Sequence, residues 1–245
     1  MRDKVRFLRG AADGLDWLER RGLDSCDLDA RDGLRKTLAE VAKTAPNHPA
    51  VLAVSAALAR VDGEIPRAVR TYHRALAANP PERLRAAILE DLIALEGSRH
   101  ELDSSQTNTP LAIALAEYPE HVGLKSIRAI VFARGSERAR AREDLEEVIE
   151  RAPTLEEVPR ARVLQRAAVA AYFLGDYSQA RLLGYESADV ARRAGAHRIA
   201  ARALFQLYIQ ALGVDCDPAA ALAYATEAAL AATIAEDRDL RQAAL

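Results

Sequence analysis

The chain has 245 residues, 50% hydrophobic and 29% charged, with a formal net charge of −2; this composition is that of a chain that buries a large core and argues against a dedicated, strongly basic polyanion binder. Aromatic residues make up only 5% and alanine fills much of the apolar share, so closely packed helices are expected rather than a sheet-based core, and the fold class is all-α. The opening MRDKVRFLRGAADGLDW is charged throughout, and no window holds the ~18 apolar residues a membrane span requires. A cytoplasmic protein is the simple expectation. Val5, Leu8, Ala11, Ala12, Leu15 and Leu18 mark a first helix ending near Gly22. A second begins within residues 27–32, turns Leu34, Leu38, Val41 and Ala42 inward, and stops before Pro46.

The next stretch, from Pro49 to Pro80, reads as two helices joined by a turn at Gly63. Leu52, Ala53, Ala56 and Ala59 repeat at helical spacing on the first, and Ala68, Val69, Tyr72, Ala75 and Leu76 on the second. Leu84, Ala87, Ile88, Leu92 and Leu95 then carry a helix to Gly97, after which a polar insert occupies residues 98–109. Thr109-Pro110 is a cap followed by a first-turn proline. Pro119 to Pro153 spans 34 residues, with Gly135 at its turn. Thr154 and Glu157 have the spacing of a capping box. Leu164, Ala167, Ala168, Ala171 and Leu174 follow, then Gly175-Asp176-Tyr177 and a helix of about 18 residues up to Gly195. Leu204, Tyr208 and Leu212 precede a last turn at residues 213–218, and Leu222, Ala225 and Ala229 follow it. All ten prolines lie at expected helix edges, where they cost little.

Pro46 and Pro80 are 34 residues apart, and the same interval returns from Pro119 to Pro153. With Ala68, Tyr72 and Pro80 in one stretch and Leu174-Gly175-Asp176-Tyr177 before Ala180 in another, the chain resembles the tetratricopeptide repeat family. The resemblance covers most of the chain and implies a right-handed superhelix, an α-solenoid of about six helix-turn-helix units. On this reading 1–245 is a single domain, with N-terminal repeats in 1–119 and longer-helix repeats in 120–245. The 38 residues from Gly175 to Gly213 exceed the standard period. In this the second half resembles the long-helix repeats of bacterial LuxR-type regulators, which implies an output domain beyond Leu245. The alternative is a free-standing adaptor that scaffolds a protein complex.

The resemblance implies that the first helix of each unit lines a groove. Counted from the Gly175 turn, its groove positions fall on Arg162, Gln165, Arg166, Val169, Tyr172 and Phe173, a set suited to a carboxylate or an extended peptide. The competing reading pairs Arg162 and Arg166 with Glu156 or Glu157 on a solvated face. The unit from Pro49 lacks the lysine and asparagine clamp of chaperone-binding relatives, which disfavours that role. The partner expected is a protein or peptide, and a homodimer is compatible with the sequence.

Catalysis is not expected. His48, His73, His100, His121 and His197 form no metal-ligand spacing with one another or with Cys26 and Cys216, so neither a metal nor a cofactor is predicted. No glycine-rich phosphate loop and no GxSxG element exists. Asp144, Glu146, Glu147 and Glu150 lie beside Arg140, Arg142 and Arg151 and read as surface ion pairs. Arg134, Arg138, Arg140 and Arg142, and again Arg192, Arg193, Arg198 and Arg202, form basic clusters, but acids dilute the first and no aromatics interleave. Direct nucleic-acid contact is therefore not expected.

Overall fold

The computed structural model describes Leu15, Trp17, Leu18, Leu23, Cys26, residues 31–97 and residues 109–235. Of the first expected helix Leu15, Trp17 and Leu18 are helical; the rest of it, the insert at 98–109 except Thr109, and the residues after 235 lie outside the described residues. Among the described residues every α-helix or 3-10 turn has a place in one succession, and no strand occurs. The helices are α1 (Arg31–Thr44), α2 (Pro49–Val61), α3 (Ile65–Ala77), α4 (Glu82–Gly97), α5 (Pro110–Glu117) and α6 (Val122–Arg134). They continue as α7 (Arg138–Arg151), α8 (Glu157–Leu174), α9 (Tyr177–Ala194), α10 (His197–Gly213) and α11 (Pro218–Ile234). Two compact units result, residues 1–100 and 101–245.

In the first unit α2 and α3 form a hairpin on which α4 packs, while α1 lies against α2. Pro49 opens α2, and His48 caps it by accepting the Ala50 N–H at Nδ1, 3.3 Å away. Ala50, Ala53, Ala56 and Ala57 are all fully buried, so α2 is enclosed by its neighbours on most sides. Helix α3 is amphipathic and turns Ala68, Tyr72 and Ala75 inward. The starts of α1 and α3, at Arg31 and Ile65, keep the 34-residue period of the prolines.

Buried Tyr72 donates its hydroxyl to Asp91 Oδ2 at 2.6 Å, joining α3 to α4, and the same carboxylate lies 3.6 Å from Arg60 Nε on α2. A network so placed ties three helices through one point. Burial foremost, and then the charge of Asp91, raise the Tyr72 phenol well above its ordinary pKa.

The second unit stacks three hairpins, α6–α7, α8–α9 and α10–α11. Helix α8 packs against α6, α7, α9 and α10, and α10 against α8, α9 and α11. The first helix of each hairpin thus meets its own partner and the first helix of the next hairpin, which is the contact pattern of an α-solenoid. A closed bundle would bring α6 and α11 together, and among the described residues they form no substantial contact. The helices lengthen along the unit, from 13 residues in α6 to 18 in α8 and α9 and 17 in α10 and α11.

Close approach rests on small residues. Ala161, Ala167, Ala170 and Ala171 are fully buried in α8, and a Cβ on Gly184 of α9 would stand 3.0 Å from Leu207 Cδ2 of α10. The α8–α9 turn needs Gly175, whose φ of +80° belongs to the left-handed region. The proline positions agree with expectation: Pro49, Pro66, Pro110 and Pro218 occupy first turns, and none breaks a helix interior.

Some local expectations fail. Thr154 and Glu157 form no capping box. Thr154 sits in a 3-10 turn (Ala152–Thr154) with its hydroxyl donating to Arg151 O, and Glu156, the cap residue of α8, makes no side-chain cap bond. Leu212 and Leu222 face outward, 52% and 70% exposed. Gly213 is the last residue of α10 and not its left-handed turn; Cys216 takes that conformation, with φ of +51°.

Candidate functional site

The groove residues expected on α8 divide into two groups. Arg162, Gln165, Val169 and Tyr172 are half-buried and Phe173 is exposed, so they form one open stripe along the helix. Arg166 does not belong to it. Its side chain is buried, with Nη1 donating to Gly123 O at 3.3 Å and lying 3.5 Å from Ser126 Oγ, both on α6. Arg166 therefore fastens one hairpin to the preceding one. The reading that set it on a solvated surface beside Glu156 or Glu157 is also corrected.

Helix α10 repeats the stripe forty residues further on, because the cap residues Glu156 and Ala196 begin α8 and α10 at that interval. Arg202, Phe205, Ile209 and Leu212 then stand where Arg162, Gln165, Val169 and Tyr172 stand on α8, and all four are half-buried or exposed. Counting between Gly175 and Gly213 gives 38 and lands on fully buried Ala200 and Ala203. The glycine count thus conceals α10, whereas matching the helix caps reveals it.

The end of the α8 stripe is aromatic. Tyr172 meets Phe173 edge-on at 5.8 Å and Tyr177 at 5.6 Å, and Phe205 lies 5.6 Å from Tyr208 on α10. The Arg134 guanidinium sits over the Phe173 ring at 5.4 Å. Arg138 donates to Phe173 O at 3.2 Å and Leu174 O at 2.6 Å, satisfying the last carbonyls of α8. The first basic cluster thus separates into individual structural tasks, with Arg140 paired to Glu137 on the exposed surface.

Two acids of α7, Asp144 and Glu147, pair across to α6, and Glu147 also pairs with Arg151 on its own helix. Asp144 accepts both Arg128 Nε and Nη2 from α6, at 2.8 and 2.6 Å, and is itself buried. Glu147 accepts from Lys125 at 2.5 Å and from Arg151 at 3.0 Å; the Lys125 bond chiefly holds its carboxyl below the usual pKa.

Two clefts occupy matching places in successive hairpins. One of about 450 Å³ is lined by Arg142, Glu146, Gly175, Asp176 and Gln179. The other, of about 350 Å³, is lined by Arg181, Tyr185, Asp215, Asp217 and Tyr224. Asp176 and Asp217 are helix caps, accepting from Gln179 N and Ala220 N at 3.0 Å; the first of these bonds chiefly lowers the Asp176 pKa. The clefts are therefore walled by structural residues. Among the described residues no group of three His, Cys, Asp or Glu could hold a metal ion, and His121, like His48, caps a helix. No helix among the described residues is long and apolar enough to cross a membrane.

No family model matches the chain, and no curated protein matches it. Among solved structures, a tetratricopeptide repeat protein from Parabacteroides merdae aligns over 94% of this chain and 98% of that one. The identity is 17% and the TM-score 0.44. By the contacts of its own helices, the second unit is an all-α stack of helical hairpins, an α-solenoid.

Proposed function

We propose that the chain is a non-catalytic interaction module whose open stripe on α8 and α10 binds an extended peptide carrying a carboxylate. One observation supports this most. Across Arg162, Gln165, Val169, Tyr172 and Phe173, and Arg202, Phe205, Ile209 and Leu212, there are two arginines and no acid, although acids outnumber bases in the chain as a whole. Guanidinium groups pair with carboxylates bidentately, the Gln165 amide suits a peptide backbone, and the apolar positions between them suit alternate side chains.

Peptides selected from a random display library against the whole chain test this reading. The selected peptides are expected to carry Asp, Glu or a free C-terminus, and binding should weaken at least ~10-fold in Arg162→Glu/Arg202→Glu with the helical circular dichroism unchanged. Selection of basic peptides, or affinity untouched by the double substitution, would overturn it. Arg166 is left out of the variant because it is buried against α6, where a glutamate would set an unpaired charge inside the fold.

Within this class we favour the interaction region of a bacterial regulator over a free-standing adaptor. The support is the 17- and 18-residue helices of α8 to α11, which match the long-helix repeats of such regulators. The coding sequence following residue 245 decides between them: an output domain is expected, and a stop codon there would leave the adaptor.

A further inference from the structure

Helices α9 and α11 occupy the same place in successive hairpins, and their caps, Asp176 and Asp217, are 41 residues apart. At that register the outward positions of the two helices coincide nearly residue for residue. Their chemistry does not. The outward face of α9 carries Arg181, Glu186, Asp189, Arg192 and Arg193 beside the exposed Leu182 and Tyr185. On α11 the positions of Arg181, Asp189 and Arg193 are taken by Leu222, Leu230 and Ile234, which are 70%, 62% and 47% exposed. Glu227 is the only charged residue of α11, and it is bound to Arg192 of α9.

The fold does not require these apolar residues, because α9 has ion pairs at the same exposed sites. Nor would another hairpin cover them. The α9 positions stay exposed with α10 and α11 packed behind them, so a unit added to α11 in the same way would leave its outward row open. The occupant therefore approaches from outside the stack.

We propose that this occupant is a second copy of the chain, with α11 pairing against α11 about a two-fold axis. The row Leu222, Thr226, Leu230 and Ile234 is spaced by four residues, a ridge about 18 Å long that can interdigitate with its own copy. Its only charge is neutralised within the chain, so its electrostatic complement is another uncharged face. Among the described residues no other helix exposes as many as three large aliphatic side chains. A self-paired face brings no like charges together, and a two-fold axis makes one patch serve both sides. The face of one 17-residue helix is well below the ~800 Å² per partner of a standard interface. The dimer is accordingly weak, with dissociation in the micromolar range or above.

Sedimentation velocity of the whole chain over rising concentration tests the proposal. A monomer–dimer equilibrium is expected, and Leu222→Glu/Leu230→Glu should weaken it on the order of 100-fold by setting charges into an apolar contact. Asp189→Ala on α9 should leave the equilibrium unchanged, and all variants should melt like the parent because the altered residues are exposed. A monomer at every concentration would overturn the proposal and leave the face to a different protein. Self-association that survives the double glutamate variant would overturn it equally.

Discussion

The two units join their helices differently. In the first, Tyr72, Asp91 and Arg60 concentrate the polar connection between α2, α3 and α4 at one buried point. In the second, it is spread over several separate points, with Asp144 holding Arg128 and Glu147 holding Lys125 between α6 and α7. Arg166 reaches α6, Ser187 donates to Ala161 O at 2.8 Å, Gln210 donates to Tyr177 O at 2.8 Å, and the pairs Arg160–Glu186 and Arg181–Asp215 cross the surface. Concentration makes one residue critical, while distribution lets hairpins lengthen and vary with small penalties at each site. The outward faces of α9 and α11 show that freedom.

The largest effect expected is for Asp91→Ala, which takes the acceptor from the buried Tyr72 hydroxyl and the carboxylate from beside Arg60, and should lower stability by ~3 kcal/mol in urea unfolding. Faster amide exchange confined to α2, α3 and α4 would locate the loss; a loss of similar size in α8 to α11 would break the contrast. Tyr72→Phe should cost ~1–2 kcal/mol by leaving Asp91 short of a donor. It should also remove a pH effect. The folded pKa of Tyr72 is raised, so its contribution is complete below the unfolded value of about 10 and is lost as pH rises beyond it. Alkaline destabilisation above about pH 10 should therefore be shallower in the variant.

In the second unit Gly175→Ala should cost ~1 kcal/mol through its left-handed backbone, and Gln210→Ala a similar amount. The acid side sharpens the comparison. The Glu147 pKa is lowered in the fold, so its contribution is present above the unfolded value near 4.3 and disappears as pH falls through the folded one. Lys125→Met should flatten the acid limb of a stability–pH curve. The smallest effect belongs to Arg192→Ala on the exposed surface, below ~0.5 kcal/mol.

Much of this architecture is legible in the sequence because its signals are local. Prolines in first turns, the Thr109 cap, and the Gly175 and Gly195 stops each act within one helical turn, so the helix over residues 177–194 could be read to the residue. What escaped depends on partners far along the chain. Arg166 has the helical position of a groove residue, and only the approach of Gly123 and Ser126 turns it into an internal fastener. Leu222 and Leu212 look like core residues by periodicity, but the inward positions of α10 and α11 are filled by Leu207, Ala211, Ala221 and Ala225. The α10 half of the candidate stripe was hidden because Gly213, unlike Gly175, is not the residue that reverses the chain.

Site-specific photo-crosslinking tests the functional reading most directly. With a benzophenone side chain placed at Val169 or Ile209 on the open stripe, or at Asp189 on the outward face, adducts with a selected acidic peptide should form at the first two positions. They should disappear in Arg162→Glu/Arg202→Glu. Adducts formed equally at Asp189, or formed at Val169 and Ile209 regardless of the arginines, would contradict it.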